Sequence, residues 1–292
     1  MLQIARQIRT MSTTATAPNP FKIALVQMLC GADKQANLDN AASHIETAAD
    51  NGAKLVILPE CFNSPYGTKF FPEYAEPIPG PSTSALAAVA KKRGIYLIGG
   101  SIPERDQDKL YNTSTVFDTR GELIAKHRKV HLFDIDVPGK IRFQESETLT
   151  AGNALTVVET EFCKIGLAIC YDIRFPELAL LSVKQGCKFL VYPGAFNMTT
   201  GPMHWELLAR ARAVDNQAFV AVVSPARDVD SGYVAWGHST VVNPWGDIVA
   251  KTDHTPGIVY ADIDLSIVDA ARSAIPVQFQ KRTDMYKVEL QQ

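Results

Sequence analysis

LAICYDIRFPE, residues 167–177, is the stretch that decides the fold. Its apolar start reads as a strand that runs directly into Cys170, and a helix opens about five residues later. A side chain at the carboxyl end of a strand, beside a helix start, lies where open α/β sheets build their sites. The backbone amides after Cys170 are then placed to hold an oxyanion. A buried structural cysteine is the competing reading, since burial is the commoner fate of a lone thiol.

Outward from this stretch the chain keeps alternating strand and helix. Residues 21–27 (FKIALVQ) are apolar and β-branched, and residues 37–49 carry apolar positions at helical spacing up to Asn51-Gly52. KLVIL, residues 54–58, reads as a central strand ending at Pro59. A helix over 84–92 stops at Gly94, a strand follows over 95–98, and residues 112–117 and 122–125 flank a hairpin signal at Thr119-Arg120-Gly121. Downstream, 164–169, 188–192 and 218–223 read as strands, 176–184 and 202–216 as helices, and 237–263 as a strand-rich end. The class is mixed α/β. Residues 60–81 and 129–152 read as long, aromatic and polar loops, the kind that carries function. With no linker or repeat, the expectation is one domain over 21–292 behind a flexible extension over 1–20.

Composition narrows the function classes. The chain has 292 residues, 46% hydrophobic and 21% charged, which excludes a disordered chain, a collagen-like repeat and a coiled coil. A net charge of −2 supplies no basic field, so nucleic acid is not an expected partner. No apolar run approaches the ~20 residues of a membrane-spanning helix, so no membrane partner is expected. Cys30, Cys61, Cys163, Cys170 and Cys187 form no CxxC pair, which fits reduced thiols in a cytoplasmic protein and gives no zinc-site signal. The first twenty residues carry Arg6 and Arg9, several Ser and Thr, and no acid. Two readings stand for them: a mitochondrial transit segment, giving dual cytoplasmic and mitochondrial residence, or a flexible tail.

Three side chains stand out as chemistry. Glu60 ends the apolar run LVILPE, the same topological position as Cys170, where partial desolvation would raise its pKa toward that of a usable base. A surface turn glutamate is the competing reading. Lys129, in HRKVHLFD, either lies on a solvated basic edge or faces a developing oxyanion. None of the six histidines shows an obvious helper pattern for the thiol.

Taken together, LPECFNSPYG, HRKVHLFDID and CYDIRFPE resemble the carbon–nitrogen hydrolase (nitrilase) superfamily over Phe21 to the C-terminus. KVHLFDIDVPGKIRFQES, YPGAFNMTTGPMHWELLARARAVDNQ, SPARD and YVAWGHSTVVNPWG are most similar to the omega-amidases of its Nit branch. The resemblance implies a four-layer α-β-β-α sandwich and a homodimer or higher homo-oligomer. It implies a catalytic Glu60, Lys129 and Cys170, with the Tyr171 amide in the oxyanion hole, and no metal or other cofactor. Glu145 aligns with the family's additional acid, with Glu147 as its rival. The implied substrate is a small α-keto acid amide, α-ketoglutaramate or α-ketosuccinamate, hydrolysed to 2-oxoglutarate or oxaloacetate and ammonia. A carboxylate on such a substrate calls for a cation. Arg174 is the candidate, with Tyr66 and Phe196 lining the pocket; alternatively Arg174 pairs with Asp172 or Glu177 and only braces the turn. Arg210 and Arg212 read as packing or interface residues. The rivals are a deaminated glutathione amidase of the same branch, a non-catalytic scaffold, and a redox sensor built on a low-pKa Cys170 thiolate.

Overall fold

The short β-branched runs become two sheets. The computed structural model describes residues 20–139 and 141–291, so the transit-segment reading of the N-terminus lies outside the described residues but for Pro20. The first sheet holds β1 (Phe21–Gln27), β2 (Leu55–Ile57), β3 (Tyr96–Ile98), β4 (Ile102–Asp106), β5 (Lys109–Phe117) and β6 (Leu123–Arg128). A separate hairpin pairs β7 (Asp134–Val137) with β8 (Ile141–Gln144). The second sheet holds β9 (Thr156–Glu159), β10 (Lys164–Leu167), β11 (Phe189–Pro193), β12 (Phe219–Val223), β13 (Thr240–Val242) and β14 (Ile248–Lys251). The chain then returns to the first sheet as β15 (Gly257–Ile263), antiparallel to β1.

Period-two alternation sends successive side chains into different cores. Along β1, Ile23 and Leu25 pack between the sheets against Leu167, Phe189 and Phe219. Ala24 and Val26 face the other way, under α1 (Lys34–Asp50) and, past the short α2 (Phe71–Tyr74), α3 (Pro81–Arg93). The second sheet is covered likewise by α4 (Pro176–Lys184) and α5 (Gly201–Asn216) through Ala179, Val183, Trp205 and Ala213. The layers are therefore α-β-β-α, as expected. β1, β2 and β3 run parallel, as do β10, β11 and β12, so Glu60 and Cys170 both lie just past the carboxyl ends of parallel strands.

One expectation is corrected. Residues 129–152 are not one open loop; they contain β7 and β8, four-residue charged runs too short to read as a hairpin. The strand-rich end over 237–263 holds β13, β14 and β15, and beyond it the chain continues into helices α6 (Ser266–Ala274) and α7 (Val277–Gln280), α6 burying Val268 and Ala271.

Candidate active site

Cys170 sits where β10 turns into a 3₁₀ segment, Cys170–Arg174, that leads into α4. Its φ is +46°, a left-handed conformation that costs a non-glycine residue of order 1–3 kcal/mol. The surroundings hold it there. The Asp172 carboxylate accepts from the Ile169 amide at 2.9 Å and from the His131 amide and ring at 2.8 Å, and His127 Nε2 lies 3.2 Å away. Arg212, from α5, donates to the Ile173 and Arg174 carbonyls at 2.8 and 3.2 Å. Gly194, just past β11, packs on this turn: a Cβ there would stand 3.1 Å from the Cys170 Cα, a tight contact that would push the two backbones apart by a few tenths of an ångström.

Glu60 is completely buried. Its Oε1 accepts from Asn112 Nδ2 at 2.8 Å and Lys129 Nζ at 3.0 Å, and Oε2 accepts from the Ala195 amide at 2.7 Å. A carboxylate has about four acceptor positions, so one remains on Oε2. Behind it, a Cβ on Gly100 (φ +58°) would overlap the Pro59 carbonyl oxygen, and the Ser101 hydroxyl accepts from the Cys61 amide.

Lys129 follows β6 and is buried, which removes the solvated-edge reading. Its Nζ lies 3.0 Å from Glu60 Oε1 and 2.9 Å from Glu145 Oε2. Glu145 closes the base of the β7–β8 hairpin, its Oε2 accepting from the Phe133 amide at 2.7 Å and its Oε1 from the Tyr66 hydroxyl at 2.8 Å. The rival Glu147 is exposed and pairs with Arg142. One ammonium thus serves two buried carboxylates, and this charge balance governs ionisation. Burial raises the Glu60 pKa, Lys129 pulls it down and Glu145 pushes it up again; the net shift is upward. Burial opposes the Lys129 charge, but Glu145 and Glu60 outweigh it and hold the ammonium protonated. Burial and the Glu60 charge push the Cys170 thiol well above its ordinary value, with Lys129 opposing. A thiol pushed in that direction calls for a base, and Glu60 is the carboxylate beside it.

Arg174 pairs with neither Asp172 nor Glu177. Its guanidinium stacks over Phe196 at 4.9 Å, lies 5.6 Å from the Tyr171 ring, and contacts His204 Nδ1 at 3.2 Å, while the buried Nε has no partner among the described residues. Phe133, Phe143, Tyr66, Tyr171 and Tyr233 form an aromatic shell with neighbouring ring centres 4.5–5.7 Å apart. Tyr171 is the second residue of the 3₁₀ turn, where backbone amides have no acceptor within the turn itself. Asn112, Ala195, Asp172, His127, His131, Arg212 and Tyr233 were not foreseen as site residues. Only the Ala195 position carried a signal, a small residue just past a strand.

Comparison with known proteins agrees with this geometry. The carbon-nitrogen hydrolase family model matches residues 22–273. The chain is 62% identical over 269 residues to the omega-amidase NIT2 of Xenopus tropicalis, covering 92% of this chain and 98% of that protein. Saccharomyces cerevisiae Nit3, a member of branch 10 of the nitrilase superfamily, superposes with TM-score 0.83 at 48% identity, covering 90% and 97% of the two chains. A mutant amidase from Nesterenkonia sp. AN1, which shows covalent addition of the acetamide moiety of fluoroacetamide at its active site cysteine, superposes with TM-score 0.74 at 26% identity, covering 89% and 97%. The protein is a carbon–nitrogen hydrolase. It belongs to the Nit branch of the nitrilase superfamily and is an amidase.

Proposed function

We propose that the protein is an omega-amidase that hydrolyses the terminal amide of α-ketoglutaramate and α-ketosuccinamate through a Cys170 thioester. The observation that carries this reading is the pairing of a Glu60–Lys129–Cys170 site with Arg174, a cation free of carboxylate partners four residues past the thiol. Its guanidinium, flat against Phe196, suits a bidentate grip on the substrate carboxylate. The names of the similar proteins support the same substrate class.

In this mechanism the free acceptor position on Glu60 takes the Cys170 proton as sulfur attacks the amide carbonyl. Lys129 and the Tyr171 amide stabilise the tetrahedral oxyanion. Glu60 returns the proton to the departing nitrogen, and ammonia leaves. Water, deprotonated by Glu60, then cleaves the thioester. Glu145 and Tyr66 hold Lys129 in place. Pairing of two copies is part of the proposal, with the exposed Met203, Leu207 and Val214 of α5 as the surface. So is cytoplasmic residence with partial mitochondrial import through residues 1–20, checked by sequencing the native N-terminus from each compartment.

The test is ammonia release from α-ketoglutaramate, measured beside deaminated glutathione and a simple nitrile. A kcat/KM at least tenfold higher for α-ketoglutaramate is expected. Preference for deaminated glutathione would keep the site and overturn the substrate.

A further inference from the structure

Arg174 is held from α5 in two places. Arg212 Nη2 donates to the Arg174 carbonyl at 3.2 Å, and His204 Nδ1 lies 3.2 Å from Arg174 Nη1. His204 and Arg212 are about two helical turns apart, so one helix fixes both the backbone and the side chain of Arg174. The first turn of α5 is itself pinned. A Cβ on Gly201 would overlap the Trp236 ring, and Trp205 Nε1 donates to the His238 carbonyl at 2.6 Å. His204 therefore meets the guanidinium from a rigid seat.

The chemistry of this contact has one solution. A guanidinium carries five N–H donors and no acceptor, so His204 Nδ1 must present its lone pair and the imidazole must be neutral. Burial and the Arg174 charge both lower the His204 pKa from its ordinary value near 6.5, which favours that form at neutral pH. Nη1 is thus committed to His204 and the guanidinium face to Phe196, while Nε has no partner among the described residues. Burial lowers the Arg174 pKa, and Cys170, Tyr171 and Tyr233 oppose that, which sets the guanidinium beside the nucleophile. We propose that His204 is a positioning residue for substrate binding, holding the Arg174 fork in the orientation that takes the carboxylate of an α-keto acid amide. The inference rests on the substrate reading above and adds the group that fixes its cation. Without His204 the long arginine side chain would regain rotamer freedom, and binding would have to remove it again.

His204→Leu removes the acceptor and keeps most of the volume, whereas His204→Asn restores an acceptor near the Nδ1 position. With α-ketoglutaramate, His204→Leu is expected to raise KM at least fivefold and leave kcat within about twofold, the signature of lost ground-state binding. His204→Asn should recover most of that loss. Alkylation of Cys170 by iodoacetamide, which carries no carboxylate, should keep the wild-type rate in both variants. Added to Arg174→Ala, His204→Leu should raise KM no further, because both act through one cation. An unchanged KM in His204→Leu beside a raised KM in Arg174→Ala would overturn the role of His204 alone. Equal losses in the Leu and Asn variants would also overturn it, by making the ring a filler. Slowed alkylation would do the same, by making His204 a support of the Cys170 turn. An unchanged KM in Arg174→Ala would instead strike the carboxylate reading, and this inference with it.

Discussion

Glu60 and Asp172 are both buried carboxylates at the carboxyl ends of strands, each ringed by hydrogen-bond donors, yet their ionisation is driven in opposite directions. Burial raises both. At Asp172 the donors win: hydrogen bonds from His127 and His131, and the Ile169 amide, hold the group far below the ordinary carboxylate range. At Glu60 the single ammonium is shared with Glu145, and the pKa stays raised. The difference teaches how one α/β edge makes a proton carrier and a clamp from the same functional group. A permanently ionised carboxylate anchors backbone; one held near balance can take and return a proton.

Replacing each acid separates the two roles. Glu60→Gln is expected to lower kcat/KM by 10²-fold or more, the scale of losing a general base, with the unfolding midpoint little changed. Cys170→Ala should abolish turnover, and residual activity above about one per cent would refute a thioester route. A Glu60→Gln enzyme that acylates rapidly and stalls afterwards would show that some other group activates the thiol.

Asp172→Asn should break the fold's hold on the turn instead. The new amide group would face the donors of Ile169 and His131, and stability should fall by about 3 kcal/mol, the scale for breaking a buried charge-paired group. Urea unfolding measures it. The sign follows from the lowered native pKa: this stabilisation is complete above the ordinary Asp range near 3.8 and is lost only as pH falls through the depressed native value. The wild-type advantage over Asp172→Asn should hold from neutrality down to that range. Activity should respond at higher pH, because Glu60 must be ionised to act and its pKa is raised; the acid limb of kcat/KM is expected above 4.5. A limb at or below 4.5 would mean that the Lys129 charge outweighs burial and Glu145 together.

Arg174→Ala tests the binding side of the same edge. Loss of a charged hydrogen-bonding partner of about 2 kcal/mol predicts a KM near 30-fold higher with a smaller change in kcat. Arg174→Lys should recover only part of this, since a point charge lacks the planar fork. Unaltered KM in both would move the carboxylate to another group.

The strand-end positions of Glu60 and Cys170 were legible because a short apolar strand stopped by proline or running into a turn leaves a periodic signal. The order Glu60, Lys129, Cys170 supplied the family. What stabilises those positions was not legible. His127 and His131 looked idle because their partner, Asp172, lies 45 and 41 residues away in the chain and meets them only once the sheets pack. Asn112 and the Ala195 amide reach Glu60 across 52 and 135 residues. The β7–β8 hairpin escaped because DIDV and IRFQ are too short and too charged to read as strands, although its base is what delivers Glu145.

The smallest expected effect concerns that delivery. The Tyr66 hydroxyl donates to Glu145 Oε1, the same oxygen that lies 3.0 Å from Lys129 Nζ. Tyr66→Phe keeps the ring in the aromatic shell and removes one hydrogen bond to a charged acceptor. The Phe133 amide and Lys129 still hold Glu145, so the net cost should be about 1 kcal/mol, or roughly fivefold in kcat, with KM nearly unchanged. Because one donor to Glu145 is gone, its charge presses harder on Glu60, and the acid limb of kcat/KM should move to higher pH. A fivefold loss with an unmoved limb would place Tyr66 against the substrate instead of behind Lys129.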